Sequence, residues 1–286
     1  MSNAPHITAG VRGNVRTVIK RPGRAPLWLP PVHNIVTTEG LTAWAFNATS
    51  ATGEIPTVFV AGTGTTAAAL GDTGIETSMY SDEFGLSRFL VWPNMVVFSY
   101  WLRGLPRAAH TGSGITEAVL RTTNNGATAS SNKCLSRVVL DIPLEIEDTE
   151  TTVGFFWTFA WRWAVVADET GLDYGLHWLA SRMYDVSGGQ YDALSHYVVG
   201  SGTTAQDAAA SALVTETTRD AGTFTPSGAV ITSNAQIASG TVGAINEHGP
   251  GVGASAGSTL YQTRSTTADN TSNAVDWTSS LTLANV

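Results

Sequence analysis

Asp72 and Glu76 are the residues whose type and spacing come nearest to a catalytic pair. They lie four residues apart in GDTGIETS, so a helical turn would point both carboxylates the same way for acid–base chemistry. A similar segment 138 residues further on has Ala210 and Val214 at these positions. We therefore favour a structural role, in which Asp72 caps a turn that presents Ile75 to the core. A hydrolase is the alternative, and it rests on these two carboxylates alone.

A glycine-rich turn, GTGTT at residues 62–66, superficially resembles a phosphate-binding loop. It lacks the Gly-Lys-Ser/Thr ending of such loops, and the only lysines of the chain are Lys20 and Lys133. A second turn, GSGTT, occupies residues 200–204. This repetition favours a structural role, in which the glycines permit a tight turn with positive φ after a strand. The predicted structural turns comprise Gly62, Gly64, Thr65, Thr66, Gly200, Gly202, Thr203 and Thr204.

Other constellations of reactive residues are weak. The six histidines form no HxxxH or HxH pair, and Cys134 is the single cysteine, so we expect it to be a small buried hydrophobe and not part of a zinc cluster or an intrachain disulfide. The acidic run from Glu145 to Glu150 does not follow a calcium-loop pattern, which favours a solvated rim or a partner for basic residues. We assign no catalytic, cofactor-binding or metal-binding residue.

Charge is divided unevenly along the chain. The first 38 residues carry +5, and the remainder carries 10 − 23 = −13, which gives the net charge of −8. This balance argues against nucleic-acid binding by the whole surface. The first 30 residues, which are basic and rich in proline, predict an extended arm that anchors in its own chain or, as we favour, in the next subunit. The assembly-arm residues are Arg12, Arg16, Lys20, Arg21, Arg24, Trp28 and Leu29.

Composition favours a protein that buries its surface against other protein. Charged residues make up 13% of the chain, against about 25% in typical soluble chains, and nine tryptophans are present. The longest apolar stretches, residues 89–102 and 154–167, are shorter than the ~20 residues of a membrane-spanning helix and are interrupted by Pro or Arg. The N-terminus lacks an apolar signal core, so we expect a soluble protein made inside a cell, without membrane insertion.

The chain contains an internal repeat. Residues 59–80 and 197–218 align without gaps at a spacing of 138 and share five of the six residues from Gly62 to Ala67. A weaker similarity relates SGITEAVL (113–120) to SGTVGAIN (239–246). We predict an internal duplication with three parts: an extended arm over residues 1–30, repeat 1 over 31–163 and repeat 2 over 164–286.

Local patterns predict a mainly β fold. In WTFAWRW, the side chains of Trp157, Phe159, Trp161 and Trp163 alternate with smaller or polar ones and would share one face of a strand. Short helices are predicted at 39–46 and 172–184. Strands are predicted at 56–62, 89–102, 115–121, 135–142, 153–166, 194–200, 228–232, 241–246, 259–264 and 275–284. Many short strands with glycine-rich turns predict two tandem β-sandwich or jelly-roll-like domains.

Three segments together resemble a group of tailed-bacteriophage virion proteins. The segments are NIVTTEGL (34–41), VFVAGTGTTAA with the following DTGIET (58–77), and ITEAVL (115–120). Related patterns occur in tail, tail-fibre, collar and head-surface components. The resemblance implies β-rich subunits that work by oligomeric assembly, and it implies no catalytic residues.

These observations lead to one expectation and its alternatives. We expect a non-enzymatic virion protein, located in the virion after assembly in the host cytoplasm, in a tail or neck-associated component such as a fibre, fibre adaptor or collar. Its partners would be copies of itself and other virion proteins. The first alternative is a capsid decoration protein or head fibre, and the second is a module that binds a host surface glycan through exposed aromatic residues.

Overall fold

The computed structural model describes residues 6–50, 53–83, 86–91, 94–103, 114–122, 133–146, 150–164, 169–184, 192–204, 207–240, 243–253, 259–269, 272 and 274–286. Within these residues the chain is mainly β, with short helices at Thr38–Thr49 (α1) and Asp173–Tyr184 (α2). The described strands form a 13-stranded curled sheet and a 5-stranded sheet. The prediction of a β-rich, sandwich-like fold with a few short helices is confirmed.

The first half of the chain contains one helix and a series of antiparallel strands. In order, the elements are β1 (His6–Lys20), β2 (Leu27–Trp28), β3 (Val32–Val36), α1, β4 (Val58–Gly62), β5 (Ser78–Glu83), β6 (Ser87–Val91), β7 (Met95–Leu102), β8 (Ile115–Arg121), β9 (Cys134–Leu144) and β10 (Thr152–Trp163). Strands β5, β4, β8, β9 and β3 pair in that sequence, and β6, β7 and β10 form a second run.

The second half has the same order of elements. They are β11 (Glu169–Gly171), α2, β12 (Leu194–Gly200), β13 (Glu216–Ala221), β14 (Thr223–Ser227), β15 (Val230–Ile237), β16 (Ala244–Val252), β17 (Tyr261–Asp269) and β18 (Val275–Asn285). The pairings β13-β12-β16-β17-β11 and β14-β15-β18 correspond one by one to those of the first half. The two halves meet between β10 and β11, where the predicted boundary at residues 163–164 falls.

Strand β1 connects the halves. It pairs antiparallel with β10 along residues 9–20 and parallel with β18 along residues 6–11. Its alternate side chains are buried, and those between them, including Arg12, Arg16 and Lys20, are exposed. Residues 6–20 are therefore a central strand of the chain's own sheet and not part of a detached arm. The physical reason is the period-two alternation of apolar and basic residues, which suits a strand with one buried face.

Strand β10 carries the centre of the hydrophobic core. Trp157, Phe159 and Trp161 are fully buried, as the alternation in the sequence predicts, whereas Trp163 is half-buried. Burying one large apolar side chain contributes about 1.5–3 kcal/mol, so this strand is a main source of stability. Both helices contact it: the ring of Trp44 in α1 lies 5.7 Å from that of Trp161, whose Nε1 donates to the sulfur of Met183 in α2 at 2.9 Å.

Helix α1 begins at a polar cap and buries one stripe of side chains. The Thr37 hydroxyl accepts a hydrogen bond from the Gly40 amide at 3.0 Å, as an N-cap residue does. Leu41, Trp44, Ala45 and Ala48 recur at three- to four-residue steps and are all buried. Both helices lie where the sequence predicts them, although α1 extends three residues beyond the predicted end at residue 46.

The predicted single strand over residues 89–102 is instead a hairpin. Strand β6 ends at Val91 and β7 begins at Met95, and the two pair antiparallel from Val91–Met95 to Ser87–Ser99. Proline cannot donate to a strand ladder, so Pro93 in the sequence explains why the strand divides here. The turn residues 92 and 93 lie outside the described part of the chain.

Candidate functional site

The GTGTT turn is built around a buried carboxylate. Glu117 of β8 lies opposite Gly62 in the strand ladder, and its side chain is fully buried. It accepts hydrogen bonds from the amides of Gly64 at 2.8 Å, Glu76 at 3.1 Å and Thr77 at 3.0 Å. The turn amides that a phosphate loop would direct at a ligand therefore bind a carboxylate of the same chain, which supports the structural interpretation.

Arg137 of β9 connects this carboxylate to Asp72 and Glu76. Its guanidinium donates to Glu117 at 3.0 Å from Nε and to Asp72 at 2.8 Å from an Nη atom. Its other Nη donates to the carbonyl of Thr66 at 3.1 Å and lies 3.7 Å from a Glu76 oxygen. The structure thus brings together the two carboxylates singled out in the sequence, but it pairs them with a buried cation. Such a cluster holds a loop in place.

Asp72 and Glu76 also accept hydrogen bonds from backbone amides. Asp72 accepts from the Ala69 amide at 2.8 Å, which is the turn-capping role that the sequence predicts. Glu76 accepts from the amides of Thr65 and Thr66, each at 3.1 Å. The hydrogen bond from the Thr66 amide is the largest of the effects that lower the pKa of the Glu76 carboxyl. A general acid needs a raised pKa, so this environment suits a permanently ionised structural group.

The second turn repeats the first without its acidic pair. Glu247 of β16 lies opposite Gly200, is fully buried, and accepts from the amides of Gly202 at 3.0 Å, Val214 at 2.9 Å and Thr215 at 2.6 Å. Sequence reasoning missed both glutamates. The similarity of SGITEAVL to SGTVGAIN implies a spacing of 239 − 113 = 126, whereas the glutamates are 247 − 117 = 130 apart, so the strands align four residues away from that comparison.

The turn glycines are needed for close approach and not for positive φ. A Cβ on Gly62 would overlap the carbonyl oxygen of Thr77, and one on Gly64 would overlap the Glu117 carboxylate. Gly200 and Gly202 meet the same obstacles from Thr215 and Glu247. The expectation of a left-handed backbone is wrong, because none of these four is among the described glycines with positive φ. What the turns require is room for a backbone or carboxylate oxygen.

The predicted arm residues lie along one side of the sheet. Arg12, Arg16 and Lys20 project from the exposed side of β1, whereas Arg21 and Arg24 lie in the segment between β1 and β2. Trp28 of β2 is 48% exposed, its ring lies 5.6 Å from that of Phe156, and the Arg16 guanidinium is 5.0 Å from its centroid. Leu29 packs against the core of its own chain.

The outer side of this sheet is apolar, and we call it the aromatic face. On β7 the outward side chains alternate with the buried Val96, Phe98 and Tyr100, and on β6 Phe89 is 55% exposed. Trp101 lies against Phe156 at 5.7 Å and would overlap any Cβ on Gly154, so the missing side chain makes room for the indole. The aromatic face comprises Phe89, Val91, Met95, Val97, Trp101, Phe156 and Trp28.

Four basic residues border the aromatic face, and we call them the basic rim. They are Arg12, Arg16, Lys20 and Arg162, and all four are exposed. The Lys20 ammonium lies 4.2 Å from the centroid of the Trp101 ring, and the Arg16 guanidinium lies over Trp28. Cations held over aromatic rings are favourable by about 0.5–1 kcal/mol at exposed sites, so the rim and the rings form one surface.

The corresponding side of the second half is polar. Strands β14, β15 and β18 occupy the places of β6, β7 and β10, and their outward side chains are hydroxyls and amides. We call this the polar face; it includes Thr223, Thr225, Thr232, Asn234, Thr278 and Thr282. Two sheets of the same design therefore present opposite chemistry outward, which indicates a specific role for the aromatic face.

Two other reactive side chains are buried. Cys134 is a free, fully buried thiol, as predicted, and burial raises its pKa to about 12. His248 shares a hydrogen bond of 2.7 Å with the Tyr197 hydroxyl and packs 4.1 Å from the Trp277 ring. Burial lowers the pKa of His248 to about 3. Both are therefore uncharged at neutral pH and inaccessible to a substrate.

Comparisons with known proteins identify no relative: no family model, no curated protein and no solved structure matches the chain. Among the described residues, no group of three or more His, Cys, Asp or Glu side chains is placed to hold a metal ion. In the same part of the chain, neither helix is long and apolar enough to cross a membrane.

Proposed function

We propose that the protein is a structural subunit of a tailed-bacteriophage virion, in a tail or neck-associated component such as a fibre, fibre adaptor or collar. It acts by assembling with copies of itself and with other virion proteins, and it catalyses no reaction. The observation that carries this proposal is the aromatic face, an exposed apolar sheet surface on a chain whose corresponding second surface is polar. The resemblance of the 34–120 region to phage virion proteins supplies the biological setting.

The composition of the aromatic face supports assembly. Interface centres are enriched in Trp, Phe, Met and Arg and depleted of acidic residues and Lys. The aromatic face has Phe89, Trp101, Phe156 and Trp28 beside three arginines and one lysine. Large exposed apolar patches on soluble proteins mark binding surfaces. The polar face provides the internal comparison, because the same sheet architecture does not by itself require an apolar exterior.

We also infer that the two halves are copies of one duplicated unit. The halves share the order of their elements, the pairing of their strands and the glutamate that anchors the glycine turn. The equivalent backbone bonds recur as well: the Thr37 amide donates to Leu135 at 3.2 Å, and the Leu172 amide donates to Leu260 at 3.1 Å. A duplicated sandwich would give a long rigid subunit in which one copy specialises in contacts.

Fractionation of the virus tests the location. Complete particles and heads that lack tails are purified from the phage that encodes the chain, and each fraction is probed with an antibody against the protein. Enrichment with tails or necks supports the proposal. Equal recovery in tailless heads would instead support a capsid decoration protein or head fibre, and absence from every particle fraction would overturn a virion role.

A host-glycan binding module is the second candidate, because Trp28 is half-exposed and lies beside Phe156. Exposed aromatic rings can stack on sugar rings. A glycan array with the wild-type chain and with Trp28→Ala distinguishes the candidates. Binding that is lost in the variant favours the glycan module, whereas an array without signal leaves assembly as the explanation of the exposed ring.

A further inference from the structure

We propose that the aromatic face of one subunit receives the acidic end of strand β9, residues 141–145, from a second copy of the chain. This inference rests on the proposed assembly function and names the partner of the aromatic face. It follows from three observations: the composition of the basic rim, the exposure of residues 141–145, and the division of charge along the chain.

The basic rim lacks acidic partners within its own subunit. Among the residues that the structure describes, no carboxylate forms an ion pair with Arg12, Arg16, Lys20 or Arg162. Covering the aromatic face would remove water from these cations, and burying an unpaired charge is costly. A partner that covers the face must therefore bring carboxylates to its margin. Nucleic acid and a neutral apolar surface do not combine those carboxylates with an apolar anchor.

The end of strand β9 has the complementary chemistry. Asp141, Ile142, Pro143 and Glu145 are exposed, while Leu144 between them is buried and fixes the segment to its own core. Ile142 is 53% exposed, which is unusual for an isoleucine in a strand. An apolar side chain between two carboxylates matches an apolar surface between cations. The segment is held rigid by strand pairing, so little conformational entropy is lost when it docks.

The overall charge balance favours a second copy as the source. The first 38 residues carry +5 and the remainder carries −13, so each subunit has both halves of an electrostatic pair. The acidic character continues after Glu145 in the sequence with Glu147, Asp148 and Glu150. Complementary charges accelerate encounter and select orientation. Because the donor and receiving surfaces differ, each copy offers one of each, and the same contact can be repeated from subunit to subunit.

Two charge-reversal variants of the full chain test this contact. The face variant combines Arg16→Glu with Lys20→Glu, and the segment variant combines Asp141→Lys with Glu145→Lys. Sedimentation velocity over a concentration series measures self-association. We expect association of the wild type, and a dissociation constant raised at least ~10-fold in each variant. An equimolar mixture of the two variants should form dimers, because the segment of the first still fits the face of the second.

A matched control and a second variant keep the test decisive. Thr223→Glu with Thr225→Glu introduces acidic charge on the polar face and should leave association unchanged. If the face variant fails to fold, Phe89→Ser replaces it, since this side chain is largely exposed. A wild type that stays monomeric, a segment variant that associates like the wild type, or a mixture that forms no dimers would each overturn the contact.

The result is separable from the proposed function. If the contact fails while the antibody still finds the protein in virus particles, another virion protein covers the aromatic face and the virion role stands. If the protein is absent from particles, the virion role fails whatever the association data show.

Discussion

Glu117 and Glu247 occupy corresponding places in the two halves of the chain. Each lies opposite a glycine in its strand ladder, and each accepts a hydrogen bond from the second glycine of the turn, at 2.8 Å from Gly64 and 3.0 Å from Gly202. A fully buried carboxylate with several amide donors is a strong, charge-assisted anchor. The glycine-rich turns therefore organise the sandwich, and the outward sheet faces are left to determine what the protein binds.

Replacing the first anchor should destabilise the fold strongly. Glu117→Gln keeps the shape of the side chain but removes the charge that neutralises the buried Arg137, so we expect a loss of about 3 kcal/mol in the free energy of unfolding. Urea unfolding measures it. Glu145→Gln, at an exposed carboxylate, is the control and should change stability by less than about 0.5 kcal/mol. Equal effects of the two substitutions would show that the buried carboxylate is not an anchor.

The turn glycines should be intolerant of a methyl group. In Gly62→Ala the new Cβ overlaps the Thr77 carbonyl, and in Gly200→Ala it overlaps that of Thr215. We expect each to cost about 1–3 kcal/mol, as overpacking does. Gly71→Ala is the control, because nothing lies within 4 Å of its Cβ position. Thermal and urea unfolding of the three variants should separate them; a tolerant Gly62 would refute the close-approach explanation.

His248 should make the fold sensitive to acid. Burial lowers its pKa from 6.5 to about 3, so the folded chain favours the neutral imidazole. The corresponding stability is fully present above the unfolded value and is lost as the pH falls from 6.5 toward 3, at up to about 1.4 kcal/mol per pH unit. Urea unfolding at pH 7, 6 and 5 should show a shallower dependence for His248→Phe. Identical slopes in the two proteins would rule out this residue as the source.

Strand β1 should behave as core and not as an appendage. Val11→Asp places a charge at a fully buried position and should unfold the chain, whereas Arg12→Asp, one residue later on the exposed side, should leave it folded. Circular dichroism and tryptophan fluorescence of the purified variants make the comparison. A well-folded Val11→Asp protein would support the detached arm that the proline-rich sequence suggested.

The sequence contains enough information for the β-rich class and for much of the core. The alternation around Trp157 and Trp161 predicts a strand with one buried face, and the structure confirms it. The same alternation is present from Val11 to Lys20, but the number of basic residues there directs attention to charge and hides the strand. The contact of Arg137 with Glu117 depends on the register of β8 and β9, a relationship between distant residues that local patterns do not encode.

The aromatic face should matter for incorporation without mattering for folding. Phe89→Ser on β6 removes an exposed ring, so the free energy of unfolding should change by less than about 0.5 kcal/mol. Incorporation into particles should nevertheless fall when the variant replaces the wild type during infection. Thr225→Ser on β14, the matching strand of the second half, is the control and should be incorporated normally. Quantitative mass spectrometry of purified particles provides the measurement, and equal incorporation would contradict the proposed role.

Hydroxyl-radical footprinting of the protein in purified virus particles, compared with the isolated chain, tests burial of the aromatic face in the virion most directly. We predict that Trp28 and Phe89 are oxidised readily in the isolated chain and are protected in the particle. The polar face offers no comparable aromatic side chain, so Leu70, which is 50% exposed elsewhere in the first half, serves as a reference. Oxidation of Trp28 and Phe89 to the same extent in both samples would contradict an assembly role for the aromatic face.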